Sequence, residues 1–122
     1  MGLKILIVDD ALFMRNMLRE IFTAAGHEVV GEAGNGEEAV ERYRTLRPDL
    51  VTMDIVMPER SGIEALKDIL RFHPQAQVVM CSALGQETLM AEAVEAGARD
   101  FIVKPFKAER VLEVANRMTA AG

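Results

Sequence analysis

The chain has one cysteine, no excess of basic residues, no low-complexity tract and no apolar run approaching membrane length. Each absence closes a class. A lone thiol, Cys81, can build neither a disulfide framework nor a cysteine metal site, and a reducing, cytoplasmic setting is expected. A net charge of −5 and a pI near 5.0 leave no basic patch for phosphates, so no nucleic-acid partner is expected. Met1 leads straight towards the first strand without a signal peptide, and no membrane association is expected. Across 122 residues, half apolar and 27% charged, the composition fits one globular domain over 1–122 with a single core.

Four short apolar runs each end in a polar group. Ile5 to Val8 runs into Asp9-Asp10, Leu50 to Met53 into Asp54, Val78 to Cys81 into Ser82, and Phe101 to Val103 into Lys104-Pro105. Runs rich in Val, Ile and Leu read as buried parallel strands. Between them lie helical periodicities: Met14, Met17, Leu18, Ile21 and Phe22 over roughly 11 to 25, then Ala39, Tyr43 and Leu46 up to Pro48. Ser61 and Glu64 have capping-box spacing ahead of Ile63, Leu66, Ile69 and Leu70. Met90, Ala93 and Val94 share a face before Gly97, and Val111, Leu112, Ala115 and Met118 mark a last helix. With a short second strand at Val29-Val30, this makes five βα units in strict alternation, hence an α/β, doubly wound (βα)5 domain with helices on both sheet faces.

In such sheets, ligands bind beyond the carboxyl ends of the strands. Three carboxylates, a hydroxyl and an ammonium therefore converge on one edge, a set suited to a divalent metal and a phosphoryl group. Singly, each has an ordinary reading: Asp9-Asp10 as a helix cap, Asp54 as a turn residue, Ser82 as a turn hydroxyl, Lys104 as an edge charge. Their shared position at equivalent strand ends favours the site. Adjacent carboxylates raise each other's pKa and need a counter-charge, and Mg2+ suits a few carboxylates plus phosphate oxygens.

Asp9-Asp10, Met53-Asp54-Ile55-Val56-Met57-Pro58, Ser82-Ala83 and Asp100 to Phe106 together resemble the receiver domains of bacterial two-component response regulators, over the whole chain. Asp9 to Arg15 and Cys81 to Gln86 are most similar to the stand-alone chemotaxis members. The resemblance implies a flavodoxin-like fold with strand order 2-1-3-4-5. It implies Asp54 as phosphoacceptor, Asp10, Asp54 and the Val56 backbone carbonyl as Mg2+ ligands with Asp9 nearby, and Lys104 and Ser82 on phosphoryl oxygens. Ser82 and Phe101 would form a switch that reshapes a face built from helix four, strand five and helix five. Implied partners are a CheA-like sensor histidine kinase, a flagellar motor switch protein and a phosphatase, with the chain itself a monomer. A phosphorelay intermediate, or the receiver of a longer DNA-binding regulator, is the alternative, although the Met1 start and the end after helix five suggest a stand-alone protein.

Departures from the common pattern are Ser82 for Thr, Phe101 for Tyr, and apolar Val56 and Leu84 two residues beyond Asp54 and Ser82. A phosphatase of the haloacid dehalogenase type would need an acid where Val56 stands, and a flavin-binding relative would need a hydroxyl- and glycine-rich loop where Asp9-Asp10 stands. A switch, not an enzyme, is expected. Cys81 reads as a small buried hydrophobe, the methionines as gap fillers, and His27 and His73 as solvated surface groups.

Overall fold

A computed structural model describes residues 2–120, so the expectation placed on Met1 lies outside the described residues. Ten elements alternate without exception. They are β1 (Lys4–Val8), α1 (Leu12–Ala24), β2 (Glu28–Ala33), α2 (Gly36–Leu46), β3 (Leu50–Asp54), α3 (Gly62–Phe72), β4 (Val78–Ser82), α4 (Glu87–Ala96), β5 (Asp100–Val103) and α5 (Ala108–Ala115). The strands form one parallel sheet in the order β2-β1-β3-β4-β5, as the family resemblance implies.

Side chains alternate across a strand, and the sheet separates two apolar layers accordingly. Leu6, Val8, Val51, Met53, Val78 and Met80 meet Ala39 and Tyr43 of α2, Leu66 and Ile69 of α3, and Met90 and Ala93 of α4. Ile5, Ile7, Leu50, Val79, Cys81 and Ile102 meet Leu18 and Phe22 of α1 and Val111 and Val114 of α5. Burial on both faces explains why β1, β3 and β4 are nearly continuous apolar runs.

Helix ends follow local chemistry. Asn35 Oδ1 accepts from the Glu38 N–H at 2.8 Å. Ser61 and Glu64 form the expected capping box, each side chain accepting from the other's backbone N–H. Gly97 closes α4 at φ +117°, a conformation glycine adopts without steric cost. α2 stops at Leu46, where Arg47 turns left-handed at φ 47°, one residue ahead of Pro48.

Three sequence expectations need correction. Val94 is 49% exposed, so the buried stripe of α4 is Met90 and Ala93. α5 ends at Ala115, leaving Met118 in the turn beyond it. Neither histidine is simply solvated: His27 Nδ1 accepts from the Leu3 N–H at 3.0 Å, and His73 Nδ1 pairs with the buried Tyr43 hydroxyl at 2.8 Å. Burial lowers the pKa of His27.

Among the described residues, the Thr52 hydroxyl has no hydrogen-bond partner although it lies in the middle of β3, between Ile7 and Val79. An unsatisfied buried hydroxyl is costly. Thr52→Val should therefore raise unfolding stability by about 1 kcal/mol, read from the urea midpoint at constant slope; a loss of stability would show that the hydroxyl is bound.

Candidate functional site

The carboxyl edge of the sheet carries the polar residues. Asp9 and Asp10 follow β1, Asp54 ends β3, Ser82 ends β4, and Lys104 follows β5. Ladder hydrogen bonds continue into this edge: the Asp9 N–H donates to the Ala33 carbonyl at 3.0 Å, the Ile55 N–H to Cys81 at 3.3 Å, and the Lys104 N–H to Ser82 at 2.7 Å. Sheet geometry thus fixes the backbone from which the site side chains project.

Carboxylate oxygens of Asp9, Asp10 and Asp54 lie within 4.8 Å of one another. Asp9 is fully buried, Asp54 is buried, and Asp10 is exposed at the mouth. Lys104 Nζ stands 3.0 Å from Asp9 Oδ2 and 3.3 Å from Asp54 Oδ2. The contact with Asp9 Oδ2 lacks hydrogen-bond geometry, so charge alone holds that oxygen. Asp9 Oδ1 accepts from the Ala11 N–H at 2.9 Å, a local turn rather than a helix cap, and α1 begins at Leu12 after Ala11, which offers no side-chain cap.

One ammonium faces three carboxylates. Burial, with the nearby Asp9 charge, pushes the Asp54 carboxyl up to about 6 against the opposing pull of Lys104. Burial works to lower the Lys104 pKa, but its contacts with Asp9 and Asp54 outweigh that and hold it above its ordinary value. A buried carboxylate oxygen without a donor, hard oxygen ligands and an uncompensated negative charge fit a hard divalent cation.

The remaining residues take separate places. Ser82 and Phe101 line one shallow apolar cleft with Met90 and Val103. The Phe101 ring is 38% exposed, with the Arg110 guanidinium 5.9 Å from its centroid, so it is not a core aromatic. Val56 is 54% exposed in the turn after Asp54, and Leu84 is exposed after Ser82. Burial pushes the Cys81 thiol up, as suits an inert buried residue.

Sequence reading missed two supports. A Cβ on Gly62 would stand 2.0 Å from the Asp54 carbonyl oxygen, so α3 packs directly on the backbone of the central acid. Its only sequence trace is its position after the Ser61 cap. Arg15 donates from Nη1 to the Asp9 carbonyl at 2.6 Å, a contact that helical periodicity does not signal.

A flavodoxin-like α/β domain with an acidic, lysine-bearing pocket at the carboxyl edge of its sheet is the class that fold and site define. The response regulator receiver domain family matches residues 5–116. The chemotaxis protein CheY of Thermotoga maritima is 57% identical over 119 residues, covering 98% of this chain and 99% of the relative. That of Bacillus subtilis is 57% identical over 117 residues, covering 96% and 98%. A solved CheX–CheY–BeF3–Mg2+ complex from Borrelia burgdorferi is similar at a TM-score of 0.86 and 43% identity, covering 90% of this chain and 84% of that one. The chain belongs to the response regulator receiver domain family. It is a signalling switch of the CheY type and not a classical enzyme.

The raised Asp54 pKa makes a stability prediction for metal-free protein. The folded state holds this proton more tightly than the unfolded state, whose pKa is near 3.8, so stability falls as pH rises through the window from about 4 to 6 and the penalty is complete above it. In EDTA at pH 8, Asp54→Asn should stabilise the protein by about 1–3 kcal/mol and flatten that part of the profile. Urea unfolding at pH 4.5 and pH 8 measures both effects; equal stabilisation at the two pH values would contradict this account.

Proposed function

We propose that residues 1–122 act as one chemotaxis-type receiver that takes a phosphoryl group from a histidine kinase onto Asp54. The observation that carries this reading is the buried Asp54 carboxylate, held 3.3 Å from Lys104 in a pocket whose charge is otherwise unbalanced. Asp10, Asp54 and the Val56 carbonyl would hold Mg2+, with Asp9 alongside. When bound, Mg2+ neutralises charge on the carboxylates and the transferring oxygens.

An Asp54 oxygen attacks phosphorus, the new P–O bond forms in line with departure of the donor's leaving group, and an aspartyl phosphate results. With a pKa of about 6 the carboxyl is largely ionised at neutral pH, so no general base is required. Lys104 pairs with a phosphoryl oxygen, and its hold on both acids places the ammonium before the donor arrives. Ser82 donates its hydroxyl to another oxygen.

Readout passes through the cleft that Ser82 shares with Phe101. If Ser82 moves towards the phosphoryl group, Phe101 turns inward and the face of α4, β5 and α5 changes shape. A shift from 1:99 to 99:1 needs about 5.5 kcal/mol of preference for one state, within reach of a few charge-assisted hydrogen bonds. Relatives named as chemotaxis CheY proteins and the CheX–CheY complex support a cytoplasmic role with a CheA-like kinase, a phosphatase and a flagellar motor switch protein as partners. Among the described residues, no helix is long and apolar enough to cross a membrane.

Acetyl phosphate with Mg2+ should add one phosphoryl group to the protein and none to Asp54→Ala, as read by intact mass. Labelling that survives this substitution removes Asp54 from the role. Val56, apolar and exposed at the pocket, restricts the water that cleaves the aspartyl phosphate. Val56→Asn should speed loss of label several-fold in a chase without donor, and unchanged or slower decay would refute that role.

A further inference from the structure

We propose that Arg15 is a positioning residue for the acidic pocket: anchored by Glu32, its guanidinium fixes the peptide joining Asp9 to Asp10 in the arrangement that receives a divalent cation. This rests on the metal reading above. The bonded oxygen is the Asp9 carbonyl, so the contact acts on the peptide plane that links the two acids. Asp9 has further restraints through its N–H to Ala33 and its Oδ1 to Ala11. Asp10 has none of these: it is exposed, and among the described residues its side chain makes no hydrogen bond or ion pair. Its carboxylate is therefore placed by backbone alone, and Arg15 holds that backbone.

The guanidinium is itself fixed. Arg15 Nε donates to Glu32 Oε1 at 2.9 Å, and both side chains are largely buried. Glu32 also takes Arg19, one turn further along α1, with Nε at 2.7 Å and Nη2 at 2.6 Å from Oε2. A planar fork serves a carboxylate and a carbonyl together, which a lysine ammonium on a flexible stem does not reproduce. The network thus connects α1 and β2 to the end of β1.

Position and charge predict opposite signs. Arg15 is a cation near a cation site, so if its charge alone mattered, removing it would tighten Mg2+ binding. If it positions the acids, removing it weakens binding despite the relieved repulsion. Calorimetric Mg2+ titration of the wild type, Arg15→Met, Arg15→Lys and Arg19→Met at one ionic strength separates the two, with thermal unfolding in EDTA checking that each variant is folded.

Arg15→Met should lose about tenfold in Mg2+ affinity, at the low end for an outer-shell contact, and Arg15→Lys should lose nearly as much although it keeps the charge. Arg19→Met, which removes the same charge from Glu32 and leaves the Asp9 carbonyl contact intact, should bind as well as the wild type or better. Should Arg15→Met fail to fold, Arg15→Lys, which keeps the charge and gives up the fork, carries the test alone. Wild-type affinity or tighter in Arg15→Met, or in Arg15→Lys where that variant must stand in, overturns the proposal. A wild type that binds no Mg2+ overturns the metal reading beneath it, a distinguishable result.

Discussion

Two acids and one ammonium in contact, with a third acid at the mouth, is an arrangement that cannot be neutral, and the rest of the molecule is organised around that imbalance. Lys104 Nζ touches Asp9 and Asp54, yet its strand is two places from β3 and three from β1 in the sheet. A single long cationic side chain therefore ties the two halves of the edge together. It offsets only one of the three carboxylate charges, and burial, together with the neighbouring Asp9 charge, pushes Asp54 up to about 6 from 3.8. A pocket in that condition gains free energy from any hard cation it admits, and a cation is what an anionic phosphodonor requires before it can approach three carboxylates.

Holding like charges close demands a frame that does not yield, and the backbone supplies it. Ladder bonds continue into the carboxyl edge at Asp9, Ile55 and Lys104, so Asp9, Asp54 and the lysine are positioned by the sheet and not by loop conformation. Gly62 lets α3 press on the Asp54 carbonyl, and the Gly62 N–H donates to Ile55 at 2.8 Å, which pins the turn behind the central acid from both sides. Sites on rigid elements hold their geometry better than sites on loops. The exposed side chains Val56, Leu84 and Phe101 lie outside this packed frame, where a switch needs room to move.

The central strands β1, β3 and β4 were legible in the sequence because they are buried on both faces and so read as bare apolar runs, whereas the edge strand β2, half-exposed and carrying Glu28 and Glu32, left only Val29-Val30 as its trace. The site was legible because this architecture places strand ends together, which turned five ordinary residues into one constellation. Contacts between polar groups far apart in the chain were not legible. His27 with Leu3, His73 with Tyr43, and Arg15 with Glu32 are separated by 24, 30 and 17 residues, and no periodicity reports them. Val94 failed for a different reason. Helix α4 buries only Met90 and Ala93, so its apolar residues exceed the face available to cover them. Spacing alone cannot tell a buried stripe from one left open to solvent.

That surplus of apolar surface has a consequence for recognition. The chain carries −5 overall and its pocket is acidic, while phosphodonor groups are anionic, so long-range electrostatics do not draw donor and acceptor together. Leu12 and Phe13 follow Asp10, Val56 follows Asp54, and Leu84 follows Ser82, all exposed and all on the edge where the pocket opens. Exposed apolar groups rimming a polar site mark contact with another molecule. For the partners proposed above this rim offers apolar contact, and a bound divalent cation would neutralise the charge that Lys104 leaves uncompensated on the three acids. On the function proposed above, docking and chemistry are thereby separated: the apolar rim would meet the partner, and the acids with their cation would receive the group it delivers.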